Sequence, residues 1–393
     1  MSALDTPSQK FHRLLIQAFS ANASSLTPLP WWADTIMLPL INLLIAFMVS
    51  GIVVWAFVGA DPLTVGTTMI QGAFGDANGI GTTLYYATTY IFAGLAVAVA
   101  FHAGLFNIGV DGQGQVAGLG IAFACLHATA LPWFLTIPIG IVAAMIFGAL
   151  WSFLPGYLQA KRGSHIVITT IMFNYIATDL VQYLIVHVLM KPGTGDPKSE
   201  LFPDNASLPT LSDMLAYFGV NLDLTLVNLA FPLSLLAAFL VWLLIWRSRF
   251  GYAMRTVGHN KTAAVYAGIS PARIIIVTML VSGALAGLMG TNVLMGDQHR
   301  MFIDYTAGAG FIGIAVSLMG RSHPVGIVLA SILFGALIQG GQELVFDYPV
   351  FDRHLIEVIQ GMIILFVGAL ELMVRPQLVA VLGPFLHRKP KGA

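Results

Sequence analysis

Long apolar runs separated by short polar stretches dominate the hydrophobic pattern of the chain. A helix needs about 20 apolar residues to cross about 30 Å of hydrocarbon, and ten runs approach that length. The predicted spans are 36–59, 84–104, 114–130, 131–156, 165–190, 224–246, 274–296, 305–320, 323–344 and 354–374. The runs that begin at 114 and 305 are rich in glycine, so we expect broken or re-entrant helices there. The pattern predicts an all-α, polytopic membrane bundle of about ten helices.

Basic residues are distributed unequally between alternate loops. With the amino terminus in the cytoplasm, only Lys191, Lys198, Arg300 and Arg353 lie outside, and the other 14 of the 18 lysines and arginines lie inside. Because cytoplasmic loops are enriched in Lys and Arg, both termini are predicted to be cytoplasmic. The predicted organisation is a cytoplasmic tail over 1–33, a transmembrane domain over 34–376 and a second cytoplasmic tail over 377–393.

Composition supports the membrane assignment and excludes several classes of function. Hydrophobic residues make up 57% of the chain and charged residues 9%, with no net charge, so we expect contact with membrane lipid and not with nucleic acid. Cys125 is the single cysteine, so the chain cannot form an internal disulfide. The sequence contains no Gly-x-x-x-x-Gly-Lys-Ser/Thr phosphate loop, no His-Glu-x-x-His and no Gly-x-Ser-x-Gly. We therefore expect no catalytic residues, no bound metal and no cofactor.

Two of the predicted loops are long. The extracytoplasmic loop 191–223 is polar and acidic, and it either docks a partner or serves as a connector. The cytoplasmic loop 247–273 mixes charge with small and apolar residues. Asn260 is expected to cap a helix over 261–266, and Gly268 to end it. The expected small-residue face of this helix consists of Ala263, Ala264 and Ala267. This loop either docks another protein or only carries the positive charge of a cytoplasmic connector.

The segment 106–115 places a carboxylate and three amides among glycines within an apolar sequence. Polar groups at membrane depth mark a substrate pathway or join packed helices by hydrogen bonds, and each residue fits either role. The candidate pathway residues are Phe106, Asn107, Asp111, Gln113, Gln115, Thr169, Thr170 and Asn174. Amides, hydroxyls and aromatic rings suit a neutral polar solute. Asp111 is interpreted either as a charge on the pathway or as an interfacial carboxylate that caps the helix beginning near Gly112.

Four blocks, in the same order, resemble permease subunits of ABC importers for simple sugars and nucleosides, the branched-chain amino acid and ribose type of binding-protein-dependent permease. The blocks are Phe-Asn-Ile-Gly-Val-Asp-Gly-Gln at 106–113, Ile-Thr-Thr-Ile-Met-Phe-Asn-Tyr-Ile-Ala at 168–177, the segment 251–269, and the segment 308–324. The similarity spans about residues 40 to 375. The first block is most similar to the purine nucleoside subgroup that works with basic-membrane-protein-type lipoproteins. Two positions depart from the family, since Asp111 and Ile166 stand where glutamate is usual or frequent.

The resemblance implies partners and a source of energy. In the family, the loop that matches 247–273 contacts the cytoplasmic ATPase subunit, which uses ATP. The implied coupling residues are Arg255, Gly258, Asn260, Ala263, Ala264 and Gly268. The other implied partners are a second permease subunit, forming a heterodimer, and an extracytoplasmic substrate-binding lipoprotein at the inner membrane. The alternative from the residues is an ion-gradient-driven transporter that uses Asp111 or His102 for coupling. A passive channel would leave loop 247–273 unexplained.

Overall fold

The computed structural model describes residues 37–59, 61–191, 193, 195–217, 219, 226–347, 358, 361–362, 365 and 374, and its elements are helices. In chain order they are α1 Leu38–Val58, α2 Pro62–Phe74, α3 Ala77–His102, α4 Val110–His127, α5 Trp133–Tyr157, α6 Ile166–Leu184, α7 Leu211–Tyr217, α8 Ala230–Trp242, α9 Arg249–His259, α10 Lys261–Tyr266, α11 Pro271–Gly287, α12 Ala309–Met319 and α13 Pro324–Asp347. Five-residue π-helical turns extend α5, α6 and α8 and follow α11.

The chain divides into two compact units, residues 1–64 with 354–393 and residues 65–353. In the first unit, the buried Val374 packs against Met37, Ile41 and Ile45. The predicted tails and most of the predicted span 354–374 lie outside the described residues. The candidate residues all belong to the second unit.

Six helical segments of the described chain are long and apolar enough to cross a membrane. They are Ala77–His102, Trp133–Arg162, Ile166–Leu189, Ala230–Arg247, Pro271–Met295 and Pro324–Phe346. Each overlaps one of the ten predicted spans, and α1 overlaps a seventh. The prediction of an all-helical membrane protein is confirmed.

Helix α2 was not predicted, and α12 is shorter than the predicted span 305–320. The other glycine-rich run, where a broken helix was expected, forms the uninterrupted helix α4. No element was predicted over α2, where Thr, Gly and Gln interrupt the apolar residues, although Pro62 suits a first helical turn. At about 1.5 Å per residue, the 11 residues of α12 cover only about half the hydrocarbon thickness. It begins after Gly308, whose φ of 75° lies in the left-handed region. α12 is therefore too short to cross the membrane by itself.

Helix α4 is surrounded by other helices of its unit and packs against α5, α6, α11 and α12. Every residue of the range 110–122 is buried. Its glycines allow this packing, because a β-carbon on Gly112 would lie 2.9 Å from the Cα of Asn174 and one on Gly120 would lie 2.7 Å from the Phe147 ring. The glycines of this helix serve close helix contact, as small residues do in membrane bundles.

Candidate functional site

Asn107 uses its whole hydrogen-bonding capacity just before α4. Its Nδ2 donates to Gln113 Oε1 at 3.1 Å and to Ser282 Oγ at 2.9 Å. Its Oδ1 accepts from the Gly109 amide at 3.0 Å and from Gln113 Nε2 at 3.2 Å. Ser282 in turn donates to the Ala96 carbonyl at 2.7 Å. An Asn side chain has two donor hydrogens and two acceptor lone pairs, so this buried residue joins α3, α4 and α11 through a fully satisfied network.

Asp111 is buried in the first turn of α4 and does not cap that helix. Its carboxylate accepts from Gln115 Nε2 at 3.0 Å, from Thr306 Oγ1 at 3.3 Å and from the backbone N–H of Gly310 at 3.2 Å. Gly310 lies in the first turn of α12, where backbone N–H groups have no partner within the helix. The interpretation of an interfacial carboxylate capping the helix near Gly112 is wrong, because Asp111 is 5% exposed and binds the start of α12 instead.

Two further amides join α4 to α6. Gln115 accepts at Oε1 from Thr178 Oγ1 at 3.0 Å, while its Nε2 donates to Asp111. Asn174 accepts from the Gly112 amide at 3.0 Å and donates to the Ile108 carbonyl at 2.9 Å. A single α6 side chain therefore pairs with the backbone on both sides of the α4 start, as a neighbouring backbone strand would. These bonds hold the irregular segment before α4 in place.

The other predicted pathway residues make local contacts. Thr170 is fully buried and donates to the carbonyls of Ile166 and Val167 within its own helix. Thr169 donates to the His165 carbonyl at 3.1 Å, again locally. Phe106 is 37% exposed and its ring centroid lies 5.1 Å from that of Phe101. Phe106 and the half-buried Thr169 and Asn174 are thus the members of the set that are not fully buried.

Several residues of this network were not predicted from sequence. They are Thr178, Ser282, Tyr305, Thr306 and Gly310, and Tyr305 donates from its hydroxyl to the Gly114 carbonyl. A second buried network centres on Asn292, which donates to the Tyr85 carbonyl and to Thr89 Oγ1, both at 2.9 Å, and accepts from Asn228 at 3.0 Å. Asn292 could have been predicted as a site of buried hydrogen bonds, because it is an amide within an apolar span.

The predicted loop helix at 261–266 is confirmed as α10. Asn260 is its N-cap and accepts from the Ala263 amide at 3.0 Å. Gly268 has φ 76°, a conformation that favours glycine, and α11 begins at Pro271 as expected. Ser248 caps the preceding α9 through the Gly251 amide at 2.9 Å. Local capping therefore specifies both short helices.

The side chains of α10 face in directions that correct the predicted docking face. Within α10, Ala264 is fully buried and the other five residues, including Ala263, are exposed. Val265 is 58% exposed and Tyr266 is 89% exposed. The prediction that Ala264 contributes to an outer face is wrong, because Ala264 is fully buried. Ala263 and Ala267, the other two residues of the predicted face, are exposed, and so are Val265 and Tyr266.

Of the remaining predicted coupling residues, Gly258 lies where α9 meets the end of α3. A β-carbon on Gly104, which has φ 69°, would lie 3.1 Å from the Gly258 carbonyl oxygen, and one on Gly258 would lie 3.0 Å from the Gly104 nitrogen. The two backbones thus touch where α9 meets the end of the α3 span. Arg255 is half-buried and its Nε donates to the Gly251 carbonyl at 3.4 Å, within α9. Motion of α9 would act directly on α3 through the contact between the two glycines.

An aromatic and histidine cluster lies at the same end of α3. His102 Nε2 is 3.1 Å from the Ser322 carbonyl, so it donates there. The Trp246 ring lies 5.1 Å from the His102 ring and 5.0 Å from the His323 ring. Burial lowers the pKa of His323 below its ordinary value, so it is mainly neutral at pH 7. His102 is a hydrogen-bonded helix-end residue in this arrangement. No group of three or more His, Cys, Asp or Glu suited to a metal occurs among the described residues.

Comparison with known proteins adds family information to this geometry. Residues 79–368 match the family model described as branched-chain amino acid transport system / permease component. The chain is 35% identical to the guanosine ABC transporter permease protein NupP of Bacillus subtilis (strain 168), over 85% of this chain and 93% of that protein. It is 32% identical to the nucleoside ABC transporter permease protein NupB of Lactococcus lactis subsp. cremoris, over 85% of this chain and 90% of that protein. It is also 32% identical to the glucose ABC transporter permease protein TsgB13 of Haloferax volcanii, over 86% of this chain and 88% of that protein. No solved structure matches the chain.

Proposed function

Because the chain belongs to the family of branched-chain amino acid transport system permease components, we propose that it imports a nucleoside or a simple-sugar-like solute as the membrane subunit of an ABC importer. ATP is hydrolysed by a separate subunit. An ion-gradient-driven transporter, the alternative raised by Asp111 and His102, does not fit this family. Asp111 and His102 each form hydrogen bonds within the fold, and these bonds explain their presence without a role in ion coupling.

The observation that carries this proposal is the surface of α10. A six-residue helix outside the spans is fixed by the Asn260 cap and by the buried Ala264, yet exposes Tyr266 almost completely. Tyrosine is enriched at protein interfaces and often carries a large part of the binding energy. We assign this surface, Ala263 with Val265 and Tyr266, to the ATPase subunit. The contact between Gly258 and Gly104 then transmits ATP-driven motion to α3.

The proposed solute route follows the surface beside Phe106 and Asn174. These side chains combine an aromatic face with an amide, the pairing that a flat polar solute needs. The buried Asn107, Asp111 and Gln113, with Gln115, hold the start of α4 rigidly behind that route. Thr169 and Thr170 support the same wall of α6 through bonds to their own helix.

The proposed solute carries several hydroxyl groups. The similar proteins are named for guanosine, nucleosides and glucose, which all share this property. Composition of the candidate route agrees with a neutral solute, because its one carboxylate, on Asp111, is already bonded to three donors. We therefore propose a nucleoside as the first solute to test.

The proposed assembly pairs this chain with a second, non-identical permease subunit, two ATPase domains and an extracytoplasmic binding lipoprotein in the inner membrane. The proposed topology has about ten spans and both termini in the cytoplasm, so that α9 and α10 face the ATPase. The asymmetry of Lys and Arg supports this orientation.

The proposal is tested by purifying the tagged chain from its native membrane and measuring ATP hydrolysis in liposomes with and without guanosine. We expect an ATPase subunit to co-purify and guanosine to stimulate its turnover. Ala263→Arg places bulk and charge on the proposed docking surface and should remove the ATPase subunit. Ala264→Arg is unsuitable because that position is buried.

The matched control is Ala216→Arg, the same change at an exposed alanine of α7 in the loop assigned to the opposite side. This control should retain the ATPase subunit. A chain that purifies alone and moves solute down an imposed ion gradient without ATP would show that the proposal is wrong.

A further inference from the structure

A polar cavity of about 240 Å³ lies between α2, the start of α3 and the end of α13. Its polar side chains are those of Thr68, Gln71, Asp76, Asn78, Gln339 and Glu343. Among the residues that the structure describes, the lining contains two carboxylates, three amides and a hydroxyl, and no basic side chain. Such a cavity offers many acceptors to a ligand that brings hydrogen-bond donors.

The position of the cavity along α3 gives its side of the membrane. Asp76 is the N-cap of α3 and accepts from the Gly79 amide at 2.6 Å. The other end of α3, at His102, adjoins the contact between Gly104 and Gly258. The 26 residues of α3 separate the two ends by about 39 Å, more than the hydrocarbon thickness. If α9 faces the cytoplasm, the cavity opens on the extracytoplasmic side, from which an importer takes its solute.

Two of the lining side chains keep unused acceptors. Gln339 is 8% exposed, and its Nε2 donates to the Gly72 carbonyl at 3.4 Å, but its Oε1 accepts no hydrogen bond from the described residues. Glu343 is half-buried and has neither a hydrogen bond nor an ion pair within the described chain. A β-carbon on Gly72 would lie 2.5 Å from Glu343 Cβ, so the glycine lets the glutamate stem lie against α2. An amide oxygen without a donor and a carboxylate without a partner can both accept hydrogen bonds from a ligand that enters the cavity.

The size of the cavity favours a polyhydroxylated solute over a metal ion. A water molecule occupies about 30 Å³ of the liquid, so the cavity holds several times that volume. Its two carboxylates fall short of the three acidic, histidine or cysteine groups sought for a metal, and no such group occurs in the described part of the chain. The described part of the lining carries carboxylates and no cationic side chain, which disfavours phosphate or carboxylate ligands. Vicinal hydroxyls, by contrast, donate readily to carboxylate and amide oxygens.

We propose that this cavity is an extracytoplasmic subsite that receives the ribose or sugar hydroxyls of the solute, with Glu343 and Gln339 as its principal acceptors. The inference rests on the proposed import function and adds a site distinct from the amides around α4. Asp76 and Asn78 are exposed and bond a hydroxyl that enters first. Glu343 binds deeper, over Gly72.

The test compares guanosine with 2′,3′-dideoxyguanosine, which lacks the ribose diol, in proteoliposomes that contain the complete transporter. A site that bonds hydroxyls rejects analogues without them, so wild-type uptake should favour guanosine by at least about tenfold. Glu343→Gln keeps the side-chain size but replaces an acceptor oxygen with a donor. We expect it to lower guanosine uptake about tenfold and to change dideoxyguanosine uptake less than twofold.

The matched control is Glu200→Gln, which removes an exposed loop carboxylate that lies 4.0 Å from Lys191 Nζ. It should leave the ratio of the two uptake rates within twofold of wild type. An unchanged ratio in Glu343→Gln overturns the subsite and leaves the import function standing. A wild-type transporter that moves neither solute with ATP refutes the import function, and the subsite with it.

If Glu343→Gln abolishes uptake of both solutes, a binding measurement tests the proposal instead. Direct binding of both labelled solutes to the purified full chain must then weaken more for guanosine than for the dideoxy analogue in Glu343→Gln. Equal weakening overturns the proposal. Calcium binding that is lost in Glu343→Gln, with guanosine binding unaltered, identifies a cation site and overturns it as well.

Discussion

Helix α4 and helix α10 both combine small residues with polar ones, but their surfaces are opposite in character. In α4 the range 110–122 is buried throughout, and its polar side chains bond to neighbouring helices. In α10 the buried residue is Ala264, while Tyr266 is 89% exposed. The polar residues of α4 thus join helices inside the protein, whereas the exposed tyrosine of α10 is available to the proposed partner.

The largest expected effect comes from breaking the contact between α4 and α12. In Gly310→Ala the new β-carbon would lie 2.5 Å from the Asp111 Cα, and backbone at that distance cannot move aside easily. We expect a loss of more than about 4 kcal/mol in the free energy of unfolding, so that little folded protein is recovered. The measurement is the amount and thermal unfolding midpoint of the full chain in detergent.

Gly66→Ala is the matched control for that variant. A β-carbon on Gly66 meets nothing within 4 Å, and alanine favours a helix over glycine by up to about 1 kcal/mol. This variant should unfold at the same temperature as wild type or higher. If Gly310→Ala is as stable as Gly66→Ala, the close packing around Asp111 does not hold α4 in place.

A smaller effect is expected from removing the Asn107 side chain. Asn107→Ala deletes four hydrogen bonds and leaves Gln113 with unpaired buried groups, which should cost about 2 kcal/mol. Thr169→Ala removes hydroxyl bonds of the half-buried Thr169 to its own helix end and should cost less than about 0.5 kcal/mol. Thermal unfolding and guanosine uptake are measured on both variants.

The two readouts separate a structural role from a pathway role for Asn107. If stability and uptake fall together, Asn107 acts as a joint between helices. If Asn107→Ala unfolds like wild type but loses uptake, its amide contacts solute, and the contrast between α4 and α10 is weaker than their burial indicates.

The elements that could be predicted from the sequence are those that neighbouring residues specify. The cap at Asn260, the end at Gly268 and the start at Pro271 each depend on a few neighbouring residues, and all three were predicted correctly. The six long helices could also be predicted, because each contains a long apolar run. Local signals therefore sufficed for the loop helices and for most of the spans.

The partners of the polar residues could not be predicted, because they come from distant parts of the chain. Asp111 meets Thr306 and Gly310, which are 195 and 199 residues away. The burial of Ala264 also could not be predicted, because the two alanines of this six-residue helix give no directional signal. Sequence identified the polar cluster, and only the fold showed that its members bond to one another.

At the proposed docking surface, Tyr266→Ala should change partner binding and leave stability unaltered. The side chain is 89% exposed, so its removal should shift the unfolding free energy by less than about 0.5 kcal/mol. At an interface the same truncation should weaken ATPase-subunit binding about tenfold, equivalent to about 1.4 kcal/mol. Binding is measured by titrating the purified ATPase subunit onto the chain in nanodiscs.

Tyr183→Ala is the control for Tyr266→Ala. Tyr183 is 60% exposed near the end of α6, on the side assigned as extracytoplasmic, and its ring contacts His187. It should bind the ATPase subunit with unchanged affinity. If wild type and Tyr266→Ala bind the ATPase subunit with equal affinity, Tyr266 is not part of the interface.

The smallest expected effect is that of the cap of α10. Asn260→Ala removes the acceptor for the Ala263 amide and should destabilise the helix by about 1 kcal/mol, whereas Asn260→Asp retains an acceptor and should restore it. Because this is a local element, amide hydrogen exchange over 261–266 should become about fivefold faster in Asn260→Ala while exchange in α4 stays unchanged. Faster exchange in both helices would mean that the two regions unfold together, and α10 would then be an integral part of the membrane core instead of a separately specified docking helix.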